Sequence, residues 1–352
     1  MINGIIQYAR SNGCSDIHLT HGLPPVFRRN GSIFIGYDIG YDLASTDSDT
    51  VIDSLLTDAQ RTALSQGQDI DFCYATPFLE RQRVNVYHQQ GHLCAAIRIL
   101  NTVIPSFEQL QLPSAIRSLA ELPSGLVLVT GPTGSGKSTT LASMIDYINA
   151  NRSCHIITME DPIEYLHTHN NAIIHQREVG KDVSDFATAL RSALREDPDV
   201  ILVGEMRDFE TVSAAITAAE TGHLVLSTLH TTGAANTIDR IIDVFPAGGK
   251  EQVRSQLSTV LRGVVTQQLL PTFGGTGRCG AFEVLLGTDA VANLIRENKC
   301  FQIPSLLQTG LSDGMCSMNY DLARLVSNGK VSTETALAHS PNKAELLRFL
   351  GG

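Results

Sequence analysis

The sequence predicts an α/β protein in which a smaller α+β module precedes a parallel sheet flanked by helices. Its 352 residues exceed what one hydrophobic core usually supports, which favours two domains. After residue 114, short apolar runs alternate with helical patterns, as they do in parallel sheets covered by helices. One of these runs leads into a glycine-rich loop and a helix. We expect the first module at 1–100, a linker at 101–113 and the second domain at 114–352.

The N-terminal module shows helical and strand patterns in turn. We expect a helix at 2–11, a strand at 16–19, a hairpin that turns at Asn30-Gly31, a helix at 46–66, and strands at 69–74, 82–89 and 93–100. His18 and His21 lie on the first strand and its turn. A metal site there would need carboxylates or thiols at ligand spacing, and none follows, so we predict solvent-facing histidines. The proline-bracketed linker is predicted to be extended.

Residues 125–140, GLVLVTGPTGSGKSTT, match the phosphate-loop pattern G-x-x-x-x-G-K-[ST] in its strand, loop and helix context. We predict a buried strand at 126–130 and a helix at 138–149. The glycines let successive N–H groups face one anion, Lys137 supplies charge for the β- and γ-phosphates of ATP, and Ser138 supplies a hydroxyl for Mg²⁺. The predicted ATP-binding residues are Gly131, Pro132, Thr133, Gly134, Ser135, Gly136, Lys137, Ser138 and Thr139.

Three further buried strands are predicted at 154–158, 199–203 and 223–228, each followed by polar residues. In open α/β sheets, ligands bind beyond the carboxyl ends of the strands. We therefore expect the residues that follow these strands to share one crevice with the phosphate loop.

Phosphoryl transfer to water needs a group that orients the water and acidic groups that hold Mg²⁺. Glu205 is the predicted water-orienting carboxylate, and Glu160 and Glu164 are candidates for both tasks, with Glu160 reaching Mg²⁺ directly or through water. His230 is a candidate γ-phosphate sensor. Capping or surface roles for the glutamates and a core role for the histidine are the alternatives. The strand-end acid that usually reaches Mg²⁺ would stand at position 204, which is Gly204.

Arg81, Arg83 and Arg98 lie on or beside the last strands of the N-terminal module, which has no nucleotide motif of its own. Arginines on strands are often solvated or paired with carboxylates, and this interpretation stays open. The alternative is that one of them reaches the nucleotide of a neighbouring subunit and acts in trans as an arginine finger.

The remainder of the chain is predicted to be mostly helical. We expect a long amphipathic helix at 250–270, a glycine-rich turn at 272–280 that carries Arg278, a strand at 281–286, and helices with loops in the last seventy residues.

Composition limits the ligand class and the location. The net charge of −10 and the pI near 5.5 give no global attraction to nucleic acid or to an anionic membrane. No apolar run approaches the ~18–20 residues that a membrane span needs. The first residues lack a signal-peptide pattern, so we expect a cytoplasmic chain. Seven cysteines without a C-x-x-C pair argue against a disulfide framework or a zinc site.

Four blocks, GPTGSGKSTTL, ITMEDPIEY, REDPDVILVGEMRD and TGHLVLSTLHT, resemble the Walker A, Asp box, Walker B and His box of the secretion-superfamily ATPases, which drive type IV pili and type II secretion. SDIHLTHGLPPVFRRNG and QTGLSDGMCSMNYDLARLVSNGKVS are similar to the PilT branch, the pilus-retraction ATPases. The resemblance implies a PAS-like N-terminal domain, a RecA-like P-loop NTPase domain, and a homohexamer with ATP between subunits. It also implies a motor for twitching motility on the cytoplasmic face of an inner-membrane pilus platform protein.

Several alternatives remain at this point. A pilus-assembly ATPase or a Dot/Icm-like type IV secretion ATPase has a similar architecture, although assembly ATPases usually carry an additional N-terminal domain and often a four-cysteine zinc module. A RecA-like nucleic-acid translocase would need a basic stripe, which the acidic balance disfavours. A nucleotide-binding scaffold without turnover is suggested by Gly204.

Overall fold

The computed structural model describes residues 1–29, 31–37, 40, 48–77, 80–100, 103–275 and 277–351. Parts of four predicted features lie outside these described residues: Asn30 of the hairpin turn, positions 46 and 47 of the first long helix, positions 101 and 102 of the linker, and Thr276 of the glycine-rich turn. The chain forms two compact units. The first contains Met1–Val103 and Pro162–Leu166, and the second contains Ile104–Asp161 and His167–Gly352.

The first unit is an α+β arrangement. Its elements are α1 Ile2–Ser11, β1 Asp16–Leu19, β2 Val26–Arg29, β3 Ser32–Ile35, α2 Ser48–Asp53, α3 Asp58–Ser65, β4 Ile70–Ala75, β5 Arg81–Gln89 and β6 His92–Ile99. The strands form one antiparallel sheet in the order β3-β2-β1-β6-β5-β4. Apolar side chains of α1 and α2 join those of the sheet in a single buried core, which includes Ile5, Ile52, Phe27 and Ile97.

The prediction of a single helix at 46–66 is wrong over its centre, because the described residues there form two short helices. The chain leaves α2 after Asp53 and starts α3 at Asp58. Thr57 accepts a hydrogen bond from the Gln60 N–H, and the Gln60 side chain accepts one from the Thr57 N–H. This reciprocal cap starts a new helix where the apolar pattern alone suggested a continuous one.

The second unit contains the phosphate loop. Its first elements are α4 Phe107–Leu110, α5 Ser114–Ala120, β7 Gly125–Thr130, α6 Lys137–Asn151, β8 His155–Glu160, β9 Ile173–Glu178, α7 Phe186–Ala193, β10 Val200–Val203, α8 Phe209–Glu220 and β11 Leu224–Leu229. The remaining elements are α9 Ala234–Asp243, α10 Lys250–Val260, β12 Leu261–Pro271, β13 Arg278–Leu286, α11 Asp289–Arg296, α12 Ile303–Thr309, α13 Met318–Ser327, α14 Thr333–His339 and α15 Lys343–Gly351. Short 3₁₀ helices lie at Ala247–Gly249, Cys300–Gln302 and Gly310–Asp313.

The strands of this unit form a seven-stranded sheet in the order β13-β12-β7-β11-β10-β8-β9. All are parallel except β13, which pairs antiparallel with β12. Along β7, Leu126 and Leu128 pack into one core cluster, whereas Val127 and Val129 pack into another. Helices thus cover both faces of the sheet, and β7 is buried on both sides. The predicted α/β class is confirmed.

The four buried strands predicted around the crevice are confirmed as β7, β8, β10 and β11, with their bounds shifted by one or two residues. The long helix predicted at 250–270 is wrong beyond Val260. There the chain turns into β12, in which Val264 and Val265 pair with Leu128 and Val129 of β7. The apolar positions of this run fit both the 3.6-residue period of a helix and the 2-residue period of a strand. The strand forms because the edge of β7 would otherwise leave backbone N–H and C=O groups unpaired.

Two smaller predictions also need correction. The linker is not extended throughout, because Ser106 caps α4 and the buried Phe107 packs its ring against Tyr147. The glycine-rich turn ends earlier than predicted, since Arg278 already belongs to β13.

No helix within the described ranges combines the length and the apolar character that crossing a membrane requires.

Candidate functional site

The phosphate loop runs from the buried β7 to the first turn of α6. Gly136 precedes the helix in a left-handed conformation, with φ of 91°, and Lys137 is the first helical residue. The Lys137 ammonium donates to the carbonyl oxygens of Gly131 and Pro132 at 2.8 and 3.1 Å. Because Lys137 is buried within the loop, its charge is held where phosphate oxygens bind in this motif.

Two further features of the loop fit a nucleotide. Ser138 is exposed in the first turn of α6, as a hydroxyl ligand for Mg²⁺ must be. Ser135 is 3% exposed, and its hydroxyl has no hydrogen-bond partner among the described residues. A buried, unpartnered hydroxyl is costly unless a ligand oxygen satisfies it, so the loop is built for an anion.

Glycine is favoured at two loop positions, at Gly131 because the β12 backbone lies against it and at Gly136 because its φ is left-handed. A Cβ added to Gly131, whose φ is 139°, would lie 2.2 Å from the carbonyl oxygen of Gln267. A Cβ added to Gly136 would lie 2.8 Å from the Gln267 side-chain nitrogen. Gly134, in contrast, has no neighbouring atom within 4 Å of an added Cβ.

Gln267 is a residue of the site that the sequence did not reveal. It is 4% exposed, and its side-chain oxygen accepts a hydrogen bond from the Thr140 hydroxyl at 2.8 Å. One buried glutamine thus links the loop backbone to α6. The sequence analysis placed it on a helix, and only a strand assignment beside β7 would have found it.

Glu205 and His230 lie together at the carboxyl edge, as predicted for the ends of neighbouring strands. The His230 Nε2 lies 3.3 Å from a Glu205 carboxylate oxygen, and its Nδ1 lies 3.4 Å from the Thr133 hydroxyl. Thr133 belongs to the phosphate loop. The imidazole therefore lies between the phosphate loop and the predicted water-orienting carboxylate and contacts both.

Arg207 is a second residue that the sequence analysis missed. Its guanidinium donates to the same oxygen of Glu205, and this hydrogen bond raises the pKa of Arg207 above its ordinary value. The Arg207 side chain is 75% exposed, whereas that of Glu205 is 18% exposed. The pair therefore holds the Glu205 carboxylate through a solvent-exposed guanidinium.

Glu160 ends β8 and is half-buried. Its carboxylate accepts hydrogen bonds from the Thr158 hydroxyl at 2.6 Å and the Gln176 amide at 3.1 Å. These partners orient the carboxylate, which suits a Mg²⁺ ligand or a group that holds a Mg²⁺-bound water. Glu164 lies in Pro162–Leu166, the segment that belongs to the first unit, and is half-buried there.

Gly204 lies where the usual strand-end acid would stand, and the backbone of β8 lies close to its Cα. Its N–H donates to the Met159 carbonyl at 2.8 Å, and an added Cβ would lie 3.1 Å from the same oxygen. A side chain at this position would therefore require β8 and β10 to shift by a few tenths of an ångström.

The three candidate trans arginines share one face of the first unit's sheet, since Arg81 and Arg83 are two residues apart and Arg83 pairs with Arg98. Arg83 binds both carboxylate oxygens of Asp71, and Arg98 donates to Asp16 at 3.1 Å. The Arg81 guanidinium donates to the Cys73 sulfur at 3.1 Å.

Comparison with known proteins identifies relatives over nearly the whole chain. The family model described as "Type II/IV secretion system protein" matches residues 64–310. A "Twitching motility protein" of Neisseria gonorrhoeae is 50% identical over 305 residues, which are 87% of this chain and 82% of the relative. The "Type IV pilus retractation ATPase PilT" of Pseudomonas aeruginosa is 46% identical over 336 residues, which are 95% of this chain and 96% of the relative.

A solved structure extends this similarity to the fold. The crystal structure described as "the Pilus Retraction Motor PilT and Bound ADP" matches this chain with a TM-score of 0.91 and 49% identity, covering 99% of each chain. That protein was solved with a nucleotide. The match confirms the predicted fold class, an N-terminal domain followed by a RecA-like ATPase domain.

Proposed function

The chain belongs to the type II/IV secretion system protein family, and we propose that it hydrolyses MgATP to power the retraction of a type IV pilus. It is a P-loop ATPase of the retraction branch. The observation that carries the proposal is the connection from the phosphate loop through His230 to Glu205 at one edge of the parallel sheet. Relatives named for twitching motility and pilus retraction cover most of the chain, which favours retraction over pilus assembly or Dot/Icm-like secretion.

Each residue of the site has a role in this reaction. Lys137 and the loop N–H groups bind the phosphates, and Ser138 and Glu160 hold Mg²⁺ directly or through water. When bound, Mg²⁺ neutralises charge on the β- and γ-phosphate oxygens. Glu205 orients the attacking water and accepts its proton, and His230 donates to the γ-phosphate until hydrolysis removes that contact. Glu164 is a further candidate both for orienting the water and for holding Mg²⁺.

We further propose that the chain works as a homohexamer in the cytoplasm, at the cytoplasmic face of an inner-membrane pilus platform protein. A PAS-like domain at 1–100 would act through a linker at 101–113 on the ATPase domain at 114–352. At least one of Arg81, Arg83 and Arg98 then reaches a neighbour's γ-phosphate as an arginine finger. Closure of one subunit over the next converts hydrolysis into displacement.

A phosphate-release assay with and without single-stranded DNA tests the enzyme. We expect MgATP turnover that DNA does not stimulate, and loss of turnover with the fold intact in Lys137→Ala. Turnover that depends on DNA would identify a translocase, and ATP binding without turnover would identify a scaffold. Either result would refute the proposed activity.

Pilus retraction is tested in the bacterium that carries the gene. Deletion should abolish twitching while leaving pili on the surface, and the wild-type gene but not Lys137→Ala should restore movement. Loss of surface pili would instead indicate an assembly ATPase, and normal pili and movement with lost protein secretion would indicate a secretion ATPase.

Hybrid rings test the trans arginines. An alanine variant of the finger should lower ATPase activity, and mixing it with Glu205→Gln should restore part of that activity once subunits exchange. In such rings, the intact arginine of one chain faces the intact glutamate of its neighbour. The absence of recovery for all three alanine variants, despite measured exchange, would leave these arginines as partners of their own unit's carboxylates and thiol.

A further inference from the structure

The first unit brings together two histidines and an aspartate that are far apart in sequence. His21 lies in the turn after β1, Asp49 lies in the first turn of α2, and His92 begins β6. One ligand atom of each residue lies within 4.8 Å of those of the other two. The His21 and His92 rings stack with centroids 3.7 Å apart and planes 3° from parallel.

The fold fixes two of these side chains relative to each other. One oxygen of the Asp49 carboxylate accepts the backbone N–H of Leu93 at 3.1 Å, which anchors the carboxylate to β6. The other oxygen lies 3.3 Å from the His92 Nδ1. Because β1 pairs with β6, the turn that carries His21 runs beside the start of β6. Asp49 and His92 are half-buried and His21 is exposed, so the cluster is ordered on one side and accessible on the other.

The chemistry of these ligands favours one class of ion. Two imidazoles and one carboxylate are a common ligand set for Zn²⁺ and similar divalent transition metals, whereas Mg²⁺ and Ca²⁺ prefer oxygen ligands. Three protein ligands leave a coordination position for water. Because the nitrogen lone pair of an imidazole lies in the ring plane, the exposed His21 ring must turn out of the stack to direct a nitrogen at an ion held by His92 and Asp49. The Leu93 N–H orients the carboxylate, as hydrogen-bond partners of the ligands do at known metal sites.

We propose that His21, Asp49 and His92 bind one Zn²⁺-class divalent metal ion per chain. These residues belong to the first unit and the phosphate loop to the second, so the proposal goes beyond the proposed ATPase function. It would join the turn after β1, α2 and the β5–β6 hairpin, and so stabilise the first unit. The histidine at position 21, which the sequence analysis predicted to be solvent-facing, acquires its partners only through folding.

The test uses the full chain stripped of metals, with excess Mg²⁺ and ADP to saturate the nucleotide site. Calorimetry with Zn²⁺ should give one equivalent per chain, and Zn²⁺ should raise the melting temperature. Bound Co²⁺ should lack thiolate charge-transfer absorption although the chain has seven cysteines. His21→Gln and His92→Gln should each weaken Zn²⁺ binding by ~10-fold or more, since losing even a residue that hydrogen-bonds to a metal ligand costs ~10–100-fold in affinity.

His88→Gln is the matched control. His88 lies exposed on β5 of the same hairpin and outside the cluster, so its replacement should leave metal affinity unchanged. Circular dichroism checks that each variant is folded. The substitution at His21 should disturb the core least, because this side chain is exposed. The proposal is overturned if Zn²⁺ does not bind, if both cluster variants bind as the wild type does, or if Co²⁺ shows thiolate ligation. ATPase activity without Zn²⁺ should be the same in all variants, which separates this result from the proposed function.

Discussion

Replacing Glu205 with glutamine removes the carboxylate charge and keeps the side-chain shape. As the water-orienting base, Glu205 should contribute the ~10²–10⁴-fold typical of general base catalysis. At ~1.36 kcal/mol per factor of ten, that is ~2.7–5.4 kcal/mol of transition-state stabilisation. We therefore expect Glu205→Gln to reduce phosphate release at saturating MgATP by at least two orders of magnitude.

The structure gives a much smaller expected effect on stability. The Arg207 side chain that binds Glu205 is 75% exposed, and pairs of this kind contribute ~0–1 kcal/mol. Glutamine also keeps an oxygen that can accept from Arg207. The catalytic effect should therefore exceed the stability effect severalfold, so loss of turnover cannot be attributed to unfolding.

Three measurements check this reasoning. Phosphate release gives the turnover, a fluorescent ATP analogue gives the affinity, and a thermal melt gives the stability. Arg207→Gln serves as the control, because it breaks the ion pair but keeps the carboxylate, and it should retain most of the turnover. Unchanged phosphate release in Glu205→Gln would refute the assignment and move the role to Glu160 or Glu164. A large drop in ATP affinity would instead indicate a binding role.

Three further predictions follow from the packing of the loop and from the half-buried His167. Gln267→Ala leaves the Thr140 hydroxyl without its buried acceptor, which should cost ~1–3 kcal/mol in a denaturant melt and weaken ATP binding. Gly131→Ala should destabilise the chain far more than Gly134→Ala, because only the first Cβ meets backbone; equal melting temperatures would contradict this. Burial lowers the pKa of His167 from 6.5 to about 4, so the folded chain binds this proton less tightly than the unfolded chain does. The free energy of unfolding should therefore lose nothing to this group above pH 6.5 and should decline as the pH falls towards 4. The decline should be less steep in His167→Gln, and parallel pH profiles of the two proteins would contradict this.

The sequence alone determined those parts of the site that are encoded by contiguous residues. The phosphate loop is one short segment, and its glycines, lysine and serine need only their own backbone to form an anion cradle. The strands β7, β8, β10 and β11 were also predictable, because parallel strands buried on both faces are continuous apolar runs. Glu205 and His230 follow such runs directly, so the rule that strand ends meet at one edge brought them together.

Tertiary structure decided the parts that depend on partners distant in sequence. Residues 261–271 fit a helix and a strand equally well, and only the pairing of β12 with β7 selects the strand and places Gln267 against the loop. The meeting of His21 with Asp49 and His92 has no local signature for the same reason. Backbone hydrogen bonds and side-chain packing form between segments that the chain brings together only on folding, so a local pattern cannot specify them.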